Sequence, residues 1–179
     1  VMMSAIVILA VVYLPTEMVV LPAYYNSLAD PEGLGLLISA MAAASILGAL
    51  FFEQIHKYVS YSTILRIGIL GVPLAMLPMS QLPPQWAMLS GALVLGLAWG
   101  PLLPLLNTVI QKKIPANKRG RVFALEMTIW NAGPLISMVA VGTAVDGIGI
   151  RPTYTILATT VMIAGVIVSF NRHIKKLDG

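Results

Sequence analysis

The chain has 179 residues, 58% of them hydrophobic and only 10% charged, with a formal net charge of +4 and a mean hydropathy of +0.89. A soluble domain carries about 25% charged residues, so this composition excludes an ordinary water-soluble fold and points to lipid as the solvent. With no cysteine, disulfide frameworks and thiolate metal or redox centres are excluded too.

A bilayer core of about 30 Å takes roughly 20 apolar residues of helix, and runs of that length predict an all-α membrane bundle of six spans in a single domain, residues 1–179. The first span covers residues 2–24, and its start, V-M-M-S-A-I-V-I-L-A-V-V-Y-L, offers neither the basic region nor the cleavage site of a signal peptide. Within it, Y-L-P-T-E-M-V-V-L-P sets Glu17 between Pro15 and Pro22, which remove backbone donors and kink or interrupt a helix. Tyr13 shares the face of Glu17, and Tyr24 lies further along it. Two readings of Glu17 follow. It lines a transport path and takes up a proton or a cationic substrate, or it is an interfacial carboxylate bonded to a neighbour or to water.

The second span covers 34–52, where Ala40, Ala44 and Gly48 form a small-residue stripe suited to helix packing, and the third covers 61–79. The fourth, 86–110, carries Gly96, Gly100, Pro104, Asn107 and Gln111 on one stripe. Its G-x-x-x-G permits close backbone approach, and Asn107 is the candidate ligand or gate contact. In the fifth, 121–145, Glu126 shares a stripe with Trp130, Gly133 and Ser137. That line suits a cavity wall for an amphipathic ligand, or else Glu126 pairs with a nearby cation. The sixth covers 153–170.

The stretch K-K-I-P-A-N-K-R-G-R, residues 112–121, explains the charge. With six spans, one side of the membrane collects Lys57, Arg66, Lys112, Lys113, Lys118, Arg119, Arg121, Arg172, Lys175 and Lys176, while Arg151 stands alone on the other. Cytoplasmic loops hold the excess of Lys and Arg, so both termini are expected in the cytoplasm and the cluster reads as an orientation signal. Contact with anionic lipid headgroups is compatible with it. Nucleic-acid binding is excluded as the main role, because the loop is short and lacks aromatic stacking partners.

The run L-G-L-A-W-G-P-L-L-P-L-L-N-T-V-I-Q-K-K-I-P-A-N-K-R-G-R-V-F-A-L, followed by G-P-L-I-S-M-V-A-V-G-T-A-V-D-G-I-G, resembles the fourth and fifth helices of the second half of a major facilitator superfamily transporter. The drug, macrolide and siderophore exporter branches are the most similar. Pro115, Arg119, Gly120, Arg121, Gly142, Asp146 and Gly149 carry the resemblance. Between the second and third spans the family's Gly-x-x-x-Asp-x-x-Gly-Arg-Arg type motif is degraded, with Glu53 in place of the Asp and Lys57 as the nearest cation.

The resemblance implies a C-terminal six-helix half of a secondary transporter in a bacterial cytoplasmic membrane, exporting hydrophobic or amphipathic small molecules in exchange for protons. Tyr13, Glu17, Trp99, Asn107, Glu126 and Trp130 would form its substrate and proton pathway. Lys112, Lys113, Lys118, Arg119, Arg121 and Asp146 would serve its cytoplasmic gate and orientation. The implied partners are the bilayer, the substrate, protons, and either a missing N-terminal half or a second copy. No cofactor is implied. An enzyme is excluded, because the buried Ser–His, paired-aspartate and H-E-x-x-H signatures of intramembrane proteases and the phosphate-cradling G-x-x-x-x-G-K-[ST] are all missing. The competing class is a membrane scaffold or assembly subunit without transport.

Overall fold

A computed structural model of the chain describes residues 7–171 and Ile174. Met2, His173 and three of the cations counted above, Arg172, Lys175 and Lys176, lie outside the described residues. Among the described residues every regular element is a helix.

The first helix is continuous over residues 7–27 but does not keep one pitch. It widens into π-helix at Leu9–Tyr13 and Thr16–Val20 before ending in α1, Leu21–Ser27. Each widened turn stops two residues short of a proline, Pro15 or Pro22. A proline ring collides with the carbonyl four residues back and brings no N–H. Bonding to the fifth residue back, as Leu14 N–H does to Leu9 O and Leu21 N–H to Thr16 O, keeps the ladder alive around that obstacle. The prolines therefore widen the helix rather than break it.

Asp30 then caps α2, Pro31–Leu50, accepting from Gly33 N–H at 2.9 Å, with Pro31 in the first turn. A short α3, Phe52–His56, precedes α4, Tyr61–Met79, whose N-terminus is capped by Ser60. Next come α5, Gln85–Trp99, and α6, Leu102–Lys113, joined end to end through Gly100 and Pro101 into one span, Gln85–Lys113. The last two are α7, Ala116–Ile148, and α8, Ile150–Phe170. They meet at Gly149, whose φ of +91° lies in the region that only glycine enters cheaply. Five of these spans, Pro31–Leu50, Tyr61–Met79, Gln85–Lys113, Ala116–Ile148 and Ile150–Phe170, are long and apolar enough to cross a bilayer, and the first helix adds a sixth apolar segment.

Side-chain contacts sort the helix ends into two groups. Tyr25 at the end of the first helix bonds Gln85 at the start of α5, and Gln85 Nε2 donates to Gly33 O at the start of α2 at 3.0 Å. Arg151 at the start of α8 bonds Gln81, just past the end of α4. At the opposite end, Lys112 Nζ donates to Tyr61 Oη at 2.7 Å, and the Tyr61 ring stacks on His56 at 3.7 Å. Successive spans are thus antiparallel, and the cluster around Lys112 sits opposite Arg151.

The basic stretch itself is not a loop. Lys112 and Lys113 close α6, while Lys118, Arg119 and Arg121 lie on the opening turns of α7, leaving residues 114 and 115 as the connection. Arg119 ties the two ends together, its Nε donating to Ile114 O at 2.9 Å and its Nη2 to Gln111 O at 2.6 Å. It supplies donors to carbonyls that the end of a helix leaves unpaired.

Packing is tightest around α4, whose fully buried Val72 and Met76 lie among neighbours on α5 and α8. α2 lies along α5, and α7 rests on the first helix and α8. Large apolar side chains such as Leu50, Ile67, Ile136 and Phe170 are exposed, as expected where hydrocarbon or a further helix takes the place of water.

Candidate transport site

Three helices meet beside Trp99, and each contributes for a local reason. In the first helix the wide turns place Tyr13 and Glu17 on one face, and the Tyr13 hydroxyl donates to Glu17 Oε2 at 3.1 Å. Tyr13 is buried and Glu17 half-buried. In the fourth span the break at Gly100 and Pro101 follows directly on Trp99, so its indole stands at the junction of two helical segments. In α7, Glu126 and Trp130 are one turn apart on the inward face.

The rings join these elements. The Tyr13 and Trp99 ring centroids are 4.7 Å apart at an interplanar angle of 34°. Trp99 meets Trp130 edge-on, with centroids 5.9 Å apart at 76°. Such offset and edge contacts suit the quadrupole of an aromatic ring.

Next to the rings lies a cavity of about 350 Å³. Its wall consists of Leu9 and Leu14 from the first helix, Leu65 from α4, Trp99, Leu102, Leu103, Leu105 and Leu106 from the fourth span, and Glu126, Met127 and Trp130 from α7. Among the described residues, Glu126 is the only ionisable group in this wall. It is 3% exposed, and its Oε2 is buried with no hydrogen-bond partner among the described residues. A buried acceptor left unpaired costs roughly 1–3 kcal/mol, more when charged. The basic stretch does not relieve it, since Lys112 is engaged with Tyr61 and Arg119 with backbone carbonyls. One unsatisfied carboxyl oxygen in an otherwise apolar chamber whose wall includes two indoles is chemically suited to a hydrophobic cation or a donor.

The remaining sequence candidates divide. Asn107 is half-buried on α6 but is not part of the cavity wall. Ser137 turns its hydroxyl to the backbone carbonyls of Gly133 and Pro134, at 3.3 and 3.2 Å, and Gly133 packs against Val11. Lys112 bonds Tyr61 and Arg119 caps α6, whereas Lys113, Lys118 and Arg121 are exposed at the same end. Asp146, grouped above with those cations, corrects that grouping. It lies at the far end of α7, about 40 Å from Lys118 at 1.5 Å per residue, so it belongs to the opposite side.

Two groupings had no signal in local spacing. Met41 on α2 places its sulfur 3.5 Å from the Tyr13 hydroxyl. Leu65, in the third span, closes the cavity from across the bundle. Both contacts join residues far apart in the chain.

A family model described as Major Facilitator Superfamily matches residues 2–177. Among curated relatives, a protein named multidrug efflux pump Tap from Mycolicibacterium fortuitum is 29% identical over 167 residues, 93% of this chain and 41% of that protein. Tap of Mycobacterium tuberculosis is 30% identical over 167 residues, again 93% of this chain and 40% of that protein. A multi-drug resistance efflux pump PmrA homolog of Lactococcus lactis is 30% identical over 148 residues, 79% of this chain and 36% of that protein. The chain spans about two fifths of the length of the curated Tap relatives it matches.

Proposed function

Since the chain belongs to the Major Facilitator Superfamily, a family of membrane transporters and not of enzymes, we propose that it is one half of a secondary active exporter of hydrophobic or amphipathic small molecules. The observation that carries this reading is the unpartnered Glu126 oxygen in the apolar cavity beside Trp99 and Trp130. Ionisable groups inside a membrane are costly, about 2.5–3.5 kcal/mol for a charge at a helix centre, and tend to mark substrate or ion paths. The efflux activity named for its relatives agrees with a cavity that offers apolar surface and a single acceptor.

In this reading the chain corresponds to the C-terminal half, and a second set of helices closes the cavity from the other side. Substrate binds near the midplane between the two, and rocking of one against the other alternates access. Protons supply the drive, with Glu126 and Glu17 as the groups that exchange them. The cation-rich end, carrying Lys112, Lys113, Lys118 and Arg121, faces the cytoplasm, and both termini lie with it.

Replacing Glu126 by Gln in the full-length transporter tests the reading. Affinity for a permanent lipophilic monocation such as tetraphenylphosphonium should fall at least about tenfold, the loss expected when one close charge pair is removed. Export by Glu126→Gln should fall with it, while Glu126→Asp retains part of both. Wild-type affinity in Glu126→Gln sinks the reading. A chain that assembles with partners yet moves no solute under any gradient supports the scaffold alternative.

A further inference from the structure

We propose that Tyr13 is a positioning residue that carries the protonation state of Glu17 to the ligand wall formed by Trp99 and Trp130. The inference rests on the cavity reading above and adds a route between its two carboxylates. Glu17 is not part of the cavity wall, so an occupant held by Glu126 does not touch it. Beyond their Coulomb interaction through space, coupling between the two needs a structural route, and one continuous set of contacts is present.

The Tyr13 hydroxyl faces two acceptors on different helices. Glu17 Oε2 is 3.1 Å away on its own helix, and Met41 Sδ on α2 is 3.5 Å away. A phenol has one proton to give and an oxygen that also accepts, while an ionised carboxylate can only accept. With Glu17 ionised, the phenol donates to it. With Glu17 protonated, the carboxyl O–H donates to the phenol oxygen, and the phenol proton turns to the sulfur, a weak acceptor. The proton that arrives stays on Glu17, so only hydrogen-bond direction changes at Tyr13.

The change redirects the pull on the phenol oxygen, towards Glu17 on its own helix when Glu17 is ionised and towards Met41 on α2 when it is protonated, and a buried ring passes that pull to its packed neighbours. The other face of the contact is Trp99, 4.7 Å from Tyr13, and beyond it Trp130, one turn from Glu126. A tilt of the phenol is therefore felt at the indole that forms the cavity wall. Coupling between two binding events is reciprocal, so an occupant that displaces Trp99 changes the proton affinity of Glu17 by the same factor.

The surrounding elements offer few competing groups. α2 presents Met41 and α5 presents Trp99, neither of which titrates. α8 presents Tyr154, buried with its hydroxyl unpartnered among the described residues. It is a phenol, with a reference value of about 10, and stays neutral in a test at mild pH. α7 presents Glu126 across the cavity. Glu126 is thus the group whose titration must be separated from that of Glu17.

The test is the affinity of the full-length transporter for tetraphenylphosphonium, whose own charge never titrates, measured from mildly acidic to mildly basic pH. Wild-type affinity should rise with pH through two carboxylate components, and Glu17→Gln should keep only the one due to Glu126. Tyr13→Phe, which keeps the ring, should reproduce the Glu17→Gln profile, losing about fivefold of the pH-linked gain, so that its affinity falls short of wild type at the basic end and matches it at the acidic end. A Tyr13→Phe profile that keeps the Glu17 component overturns the proposal, as does a Glu17→Gln profile identical to wild type. Should Tyr13→Phe fail to fold, the nearly isosteric Met41→Leu decides. It removes the acceptor used when Glu17 is protonated, so the Glu17 midpoint should move to lower pH, and an unmoved midpoint overturns the relay. Unchanged affinity in Glu126→Gln sinks the cavity reading instead, which keeps the two failures apart.

Discussion

α5 and α7 are both apolar and glycine-bearing, yet they use their glycines in opposite ways. On α5 a Cβ on Gly96 would overlap the Met41 carbonyl of α2, and one on Gly100, just past the end of α5, would overlap that of Ser45. Gly48 answers from α2, where a Cβ would come within 3.0 Å of Leu97 O. Backbone touches backbone along this seam, with nothing left over for another partner. On α7, Gly133 packs against Val11 of the first helix, but Gly120, Gly142 and Gly147 have open space around them. Over its most apolar 18-residue stretch α7 is 11% buried, against 44% for the span Gln85–Lys113 that contains α5. The contrast separates glycines that hold this chain together from glycines that meet nothing within it.

The seam should break most easily. Gly100→Val sets a branched side chain against the Ser45 backbone, which has no rotamer with which to yield. Overpacking of this kind costs typically 1–3 kcal/mol, occasionally more, and a rigid backbone contact belongs at the upper end, about 3 kcal/mol. Gly96→Val should behave alike. Thermal unfolding in detergent, followed by loss of the monodisperse species, should show both variants melting well below wild type. A wild-type melting curve for either would mean that α2 and α5 are not in backbone contact.

How much of this could be read beforehand follows from distance along the chain. The apolar runs located the helices because a bilayer demands a minimum length of apolar surface. The pairs Tyr13–Glu17 and Glu126–Trp130 were visible because both are one helical turn. The role of Trp99 as the ring between those pairs was not, since no periodicity relates three separate helices. The basic stretch misled in a different way. Hydropathy falls where cations begin, so a span judged by hydropathy ends there, whereas α7 starts at Ala116 and carries its cations on helical turns. Helix geometry does not stop at the membrane surface. Asp146 is a different case: the family resemblance grouped it with the cations, although a span over 121–145 already sets it at the other end, where α7 carries it.

Arg119 offers a sharper test of the junction between the two regions. Its guanidinium serves two carbonyls, those of Ile114 and Gln111, where α6 hands over to α7. Hydrogen bonds from a charged donor contribute about 1.5–3 kcal/mol when buried, and at this half-buried, solvent-facing site about 1 kcal/mol is a fair expectation after screening. Arg119→Ala should lower the melting temperature modestly and loosen the start of α7, seen as faster amide exchange over residues 114–121. Arg119→Lys should not rescue it, because an ammonium lacks the planar fork that reaches both carbonyls. Full rescue by Lys would mean that only the charge matters there.

The smallest expected effect is the most informative about what α7 is for. Gly142 stands inside a long helix with no atom near its missing Cβ. Glycine in a helix interior is about 0.8–1.0 kcal/mol worse than alanine, so within this chain alone Gly142→Ala should be neutral or slightly stabilising. If α7 packs against helices of a second half, the same methyl meets a backbone in the assembled transporter, and Gly142→Ala should impair export without lowering the stability of the isolated chain. The two measurements together decide the matter. Unchanged export alongside raised stability would leave α7 facing lipid at this point, and the closing wall of the cavity would have to come from elsewhere. Lost export with intact stability would identify the face of α7 around Gly142 as a surface on which a second set of helices closes.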